Sequence, residues 1–205
     1  MTRDEKKAQT RQRLLDAAAE VFARRGLDGA SLDEIAAEAG LTKGAVYSNF
    51  ANKEELVLAV LIERTRARTQ TTLDNVEIGG DLDVEARRAG DIWVKQEKED
   101  PTLLPLWLEA VIFARRNADF AARLRSTHEA MTDEITETIA RTSRESGVPL
   151  AMTPDDLALL FNALVNGLAI ERLQDPERVP DDFFGRAIAL VYDAGVARAT
   201  DAEAR

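Results

Sequence analysis

The side chains that could carry out chemistry are few in kind. The sequence has one histidine and no cysteine. That removes disulfides, thiolate zinc sites and cysteine nucleophiles, and it leaves poor material for a metal site or a catalytic triad. The run His128-Glu129-Ala130-Met131-Thr132 begins like the HExxH of a zinc protease but ends in threonine, so a metal ligand is missing. GxGxxG, P-loop and GxSxG patterns do not occur. Acids are plentiful, and no spacing selects one pair for acid–base work. The sequence therefore points away from an enzyme, and no metal or cofactor is expected.

What remains is hydrogen-bonding chemistry. Residues 42–49 gather one cation, one glycine and several neutral donors. Lys43 can donate to guanine O6 or N7, and the methyl of Thr42 or Ala45 can meet a thymine methyl. Tyr47, Ser48 and Asn49 suit phosphate oxygens, which set register without reading sequence. Gly44 costs a helix roughly 1 kcal/mol against alanine. Lacking a Cβ, it lets the backbone lie close to a base edge or a sugar. Lys53 adds a cation beside the positive end of the next helix dipole. Together with Ser31, these residues are the expected DNA-contacting set.

The elements that must position them are legible from caps and stops. A first helix runs from about Asp4 to Arg25, with Leu15, Ala18 and Phe22 on one face and Gly26 ending it. Ser31 caps a second helix, and Glu34 sits where a capping box needs it. Leu32, Ile35, Ala36 and Ala39 form its inner face at i, i+3, i+4 and i+7. Gly40 stops it, and Thr42 caps the next. Helix 31–39, the turn at Gly40 and helix 42–48 have the spacing of a helix-turn-helix. Packing through Leu32, Ile35, Ala36, Leu41 and Val46 would leave the second helix free to enter a major groove.

The totals agree with a helical chain. Of 205 residues, 45% are apolar and 31% charged, with six prolines and eleven glycines. Scarce β-branched runs and abundant alanine favour packed helices over a sheet. The net charge of −10 argues at first against a polyanion partner. Its distribution removes the objection: residues 1–55 hold nine basic and ten acidic side chains, residues 56–205 eighteen and twenty-seven. A near-neutral head with cations at Arg3, Lys6, Lys7, Arg11 and Arg13 can meet DNA while an acidic remainder stays away. No apolar run approaches a membrane span, and the charged start is no secretory signal. A cytoplasmic protein with no membrane partner is expected.

Beyond residue 51 the punctuation continues. Asn52 and Glu55 cap a long helix reaching about residue 75, and Gly79-Gly80 break the chain. A helix over about 82–99, the apolar segment around Pro105, and an amphipathic helix over 117–146 follow. Thr153-Pro154 opens a helix whose only polar side chains from Leu157 to Ile170 are Asn162 and Asn166. A helix apolar on nearly all sides must be buried on nearly all sides. The final helix starts near residue 181. We read these two helices as a subunit interface through Leu164, Gly167, Leu168, Phe184, Ile188 and Val191, with Gly167 allowing close approach. Simple core packing within one chain is the alternative.

The run from Phe22 to Leu56 resembles the N-terminal DNA-binding domain of the TetR family of bacterial transcriptional regulators. Phe22, Gly26, Ser31-Leu32, Ile35-Ala36, Ala39-Gly40, Thr42, Gly44, Tyr47, Phe50 and Lys53-Glu54-Glu55-Leu56 carry the resemblance. It departs at Asn49, where many members have histidine; asparagine keeps a donor and removes a titratable charge. The resemblance implies an all-α fold of about nine helices. A three-helix helix-turn-helix domain would span residues 1–51, and a larger ligand-binding and dimerisation domain residues 52–205. It further implies a homodimer on a palindromic operator, with half-sites one helical turn, ~34 Å, or somewhat more apart. A small-molecule effector bound in the body would release the DNA, the long helix from Asn52 transmitting the event. Repression is the commoner outcome in that family.

No motif locates the effector. The expected lining is large or polar groups inside apolar segments: Trp93, Trp107, Glu109, Phe113, Met131, Phe161 and Asn162. Phe120, His128 and Asn166 are further candidates, with His128 also suiting a solvated helix face. Each aromatic could equally be ordinary core. Glu109 needs a partner, which could be a cationic ligand, Arg115 or Arg116, or solvent. Asn162 and Asn166, one turn apart, suit either a ligand or a hydrogen bond across a subunit interface.

Overall fold

The computed structural model describes residues 2–75 and 81–195, so the expected break at Gly79-Gly80 lies outside the described residues. Nine α-helices make up the described part: α1 (Arg3–Gly29), α2 (Leu32–Glu38), α3 (Lys43–Tyr47), α4 (Lys53–Asn75), α5 (Leu82–Glu99), α6 (Leu103–Ala114), α7 (Ala118–Ser146), α8 (Pro154–Gln174) and α9 (Phe183–Gly195). No strand occurs among the described residues. None of these helices is long and apolar enough to cross a membrane. Packing groups the chain into two compact units, Met1–Arg66 with Pro101–Thr127, and Ala67–Asp100 with His128–Arg205.

In the first unit the core gathers Leu14, Val21 and Phe22 of α1, Ile35 of α2, Val46 of α3, and Leu56 and Leu61 of α4. Leu106 of α6 and Phe120 and Leu124 of α7 complete it. The caps form as their residue types dictate. The Ser31 hydroxyl accepts the Glu34 N–H at 3.1 Å, and Asn52 Oδ1 accepts the Glu55 N–H at 2.8 Å. The box at Ser31 is half made: the Glu34 carboxylate turns to Arg25 at 3.3 Å. Gly26 breaks α1 with φ +68° and ψ 176°, after which one more helical turn runs on to Gly29.

In the second unit α5 and α9 meet backbone to backbone. A Cβ on Gly90 would lie 2.2 Å from the Gly185 nitrogen, and one on Gly185 2.8 Å from Arg87 Cα. Trp93 stacks on Phe184 beside this crossing, ring centroids 4.1 Å apart. A buried arginine ties the α8–α9 connection to α5. Arg172 Nε donates to Glu97 at 3.1 Å, Nη1 to the Val179 carbonyl at 2.8 Å and Nη2 to Asp181 at 2.6 Å. Lys98 also pairs with Asp181. Each donor of the desolvated guanidinium so described meets an acceptor, as a buried charge requires. Arg68 closes the C-terminal end of α5 by donating to the carbonyls of Gln96 and Asp100 at 2.8 and 2.9 Å.

The residues expected at a subunit interface are placed as follows within this chain. Phe184 and Ile188 are buried within their own chain, Phe184 against Val94 and Trp93 of α5. Val191 packs partly against the cluster of Ile139 and Leu157, and Leu168 against Val94 and Phe184. Leu164 is half-buried. Gly167 is exposed, with nothing within 4 Å of where a Cβ would stand. The large apolar side chains left bare on these helices are different ones: Leu159, Leu160 and Leu173 on α8, and Phe183 and Leu190 on α9. The close glycine approach in this chain is at Gly90 and Gly185. An all-apolar helix reveals that it has two greasy sides without revealing which one its own chain covers.

Candidate nucleic-acid interface

The helix α3 is anchored from below and bare above. Val46 and the following Phe50 are buried, holding it against α1, α2 and α4. Thr42, Lys43, Gly44, Tyr47 and Ser48 are exposed; Ala45 and Asn49 are half-buried. The Thr42 hydroxyl oxygen accepts the Ala45 N–H at 3.3 Å, which starts the helix. At its other end the Ala45 carbonyl receives both Ser48 Oγ–H at 2.9 Å and Asn49 Nδ2–H at 2.8 Å. These bonds close a five-residue helix too short to be stable alone.

Gly44 has no internal reason to be glycine. Its φ is not positive, and a Cβ there would meet only Thr42 Oγ1, at an ordinary 3.8 Å. Tyr47 is 53% exposed, and its hydroxyl makes no hydrogen bond among the described residues. Lys43 stands at the first position of α3 with its ammonium 2.6 Å from Asp33 of α2. The hydrogen bond to that carboxylate, and then its charge, raises the lysine's pKa above its usual value.

The cations nearby are used in different ways. Lys53 donates to the carbonyls of Leu27 and Ala30 at 2.6 and 3.2 Å, so the ammonium expected to face phosphate binds backbone of its own chain. Arg13 donates to the Ala39 carbonyl at 2.6 Å, closing the end of α2. Arg11 lies over the Phe50 ring, 4.5 Å from its centroid. Arg11 and Arg13 were expected among the free cations of the head and instead have partners within the chain, and Asp33 was not singled out. Their partners lie ten or more residues away, and no local pattern predicts a tertiary pair.

The expected effector-lining residues divide between the units. Trp107, Glu109 and Phe113 belong to the first. Trp107 packs against its core, and Phe113 meets Phe120 edge-on at 5.0 Å. The Glu109 carboxylate accepts the Leu27 N–H at 2.5 Å, a partner that sequence reasoning did not name. Trp93, Met131, Phe161 and Asn162 belong to the second. Trp93 is stacked on Phe184, Phe161 lies 4.8 Å from the Tyr192 ring, and Asn162 Nδ2 donates to Thr132 Oγ1 at 3.4 Å. Met131 and His128 are half-buried and Asn166 is exposed. No group of three or more histidines and carboxylates among the described residues is arranged to hold a metal ion.

Residues 14–60 match the profile of bacterial regulatory proteins of the tetR family, and residues 82–196 that of the C-terminal part of BetI-type transcriptional repressors. The second match alone covers more than half of the chain. The nicotine-responsive transcriptional repressor HdnoR of Paenarthrobacter nicotinovorans is 28% identical over 166 residues, 81% of this chain and 84% of that protein. The transcriptional regulator SrpR of Pseudomonas putida is 54% identical over 56 residues, 27% of this chain. In that match the chain spans only 26% of SrpR's length. A solved TetR-family regulator from Rhodococcus sp. shares the fold, with TM-score 0.77 over 93% of this chain and 100% of that chain at 21% identity.

Proposed function

Because this chain belongs to the tetR family of bacterial regulatory proteins and is a DNA-binding transcriptional regulator, we propose that it represses transcription as a homodimer on a palindromic operator and is released by a small-molecule effector. It acts in the cytoplasm, where the chromosome is. Members of this family regulate transcription rather than catalyse a reaction. One observation carries the operator reading: α3 exposes Thr42, Lys43, Gly44 and Tyr47 while Val46 and Phe50 fix it from beneath. A short, rigidly seated helix with a glycine on its open side suits close approach to base edges. The repressor and effector readings draw on HdnoR, which is named as a nicotine-responsive repressor and resembles this chain over most of its length. The homodimer draws on the bare apolar residues Leu159, Leu173, Phe183 and Leu190, which align on α8 and α9.

Selection of bound sequences from random duplex DNA tests the operator reading. A consensus of two inverted half-sites with centres ~34 Å apart or somewhat more is expected. Enrichment of a single unpaired half-site would remove the dimer. Enrichment of nothing at low ionic strength would remove operator recognition itself. A thermal-shift screen then addresses the effector, since a ligand of the native state raises apparent stability by mass action.

A further inference from the structure

The backbone on both sides of one residue in the first unit, Leu27, is held by charged side chains. The Leu27 N–H donates to the Glu109 carboxylate of α6 at 2.5 Å, and the Leu27 carbonyl accepts the Lys53 ammonium of α4 at 2.6 Å. The same ammonium reaches the Ala30 carbonyl at 3.2 Å. The Leu27 side chain is buried, so its backbone cannot swing out to water without emptying its place in the core. Hydrogen bonds to ionised partners are roughly twice as strong as neutral ones.

The position of this residue matters more than the strength of its bonds. It follows Gly26, the left-handed break inside α1, where the backbone is freest to bend. The Glu109 carboxylate lies directly over the break: a Cβ on Gly26 would stand 3.1 Å from Oε2. Beyond Ala30 the chain enters Ser31, the cap of α2, and so reaches α3. The joint between α1 and the α2–α3 pair is tied by their shared core and by Arg13, Arg24 and Arg25 of α1 reaching α2; at the break itself it is held in addition by one side chain from α4 and one from α6.

We propose that Glu109 and Lys53 are positioning residues, a two-sided clamp on the backbone of Leu27 that narrows the attitude of α2 and α3 and passes displacement of α6 to them. The inference deepens the operator reading, and it rests on that reading only for the last of the readouts below.

The sequence has no cysteine, so Ala37→Cys and Ile112→Cys, at exposed positions on α2 and α6, give a doubly spin-labelled protein. A narrow distance distribution is expected for this parent. Glu109→Ala and Lys53→Met should at least double its width. Glu109→Gln, whose amide oxygen can still accept the Leu27 N–H, should return most of the order. Amide exchange at Leu27 should accelerate tenfold or more in Glu109→Ala, the loss of a hydrogen bond to a charged group. If Glu109→Ala does not fold, Glu109→Gln and Lys53→Met carry the comparison by smaller and larger broadening. Unchanged exchange at Leu27 overturns the clamp; faster exchange with an unchanged distribution overturns its control of α2 and α3. Variants with broadened distributions should bind the selected operator about tenfold more weakly. A parent that ignores all duplex DNA would sink the operator reading and leave the distance and exchange results standing.

Discussion

Gly44 weakens the helix that carries it, and nothing inside the chain calls for it. Gly44→Ala should therefore stabilise the protein by up to ~1 kcal/mol while weakening operator binding. Urea melts and fluorescence anisotropy measure the two effects; a variant that gains stability and keeps full affinity would show that no backbone approach occurs there. Lys43 and Asp33 set a second test. The carboxylate holds the ammonium at 2.6 Å and sits in the first turn of α2, where it repels phosphate. Asp33→Asn should tighten DNA binding severalfold at low salt and steepen the dependence of log K on log salt by roughly one unit. Lys43→Ala should weaken binding and relax base choice at one operator position, read by competition with single-base variants. At this scale the sequence displayed the exposed donors of α3, because polar side chains around a glycine are a local pattern. It hid Lys53 and Glu109. Charged residues near a helix start or inside an apolar run look available until the fold brings a backbone group against them.

The element scale is governed by the α5–α9 crossing and the buried arginine beside it. Gly90→Ala places a methyl in the main chain of the other helix, and overpacking of this kind costs about 1–3 kcal/mol or more. A lowered urea midpoint with an unchanged slope is expected. Asp181 gives a pH test. Hydrogen bonds from Lys98 and then Arg172 hold its carboxyl below the usual carboxylate range. Its contribution to stability is thus complete above the unfolded value of about 4 and fades as pH falls through the lower folded value. Asp181→Asn should remove part of the stability loss between pH 5 and 2, read from urea melts at each pH. Helix boundaries were legible in the sequence because caps, prolines and glycines act locally. Ser31, Thr42, Asn52 and Thr153 each cap the helix they precede. The facing of α9 was not legible. Phe184 and Ile188 form as good a stripe as any subunit contact, and only the crossing at Gly90 and Gly185 turns that stripe toward α5.

At the scale of the whole molecule, assembly and charge decide behaviour. Leu190 is 70% exposed and Leu159 64%, more than a single chain needs to leave bare. If they are covered by a second copy, Leu190→Glu should shift sedimentation from dimer to monomer without unfolding the chain. Operator affinity should fall with it, because one reading head loses the effective concentration supplied by the other. Most of the negative charge lies beyond residue 55, so raising salt should improve self-association as it weakens DNA binding. The glycine seam bears on how such a molecule can diversify. Where two main chains touch with no side chain between them, there is nothing left to trim. An enlargement at either site cannot be rescued by shrinking its opposite number. Suppressor screens starting from a damaged seam should return reversions and changes that slide an entire helix, and no compensating partner substitutions.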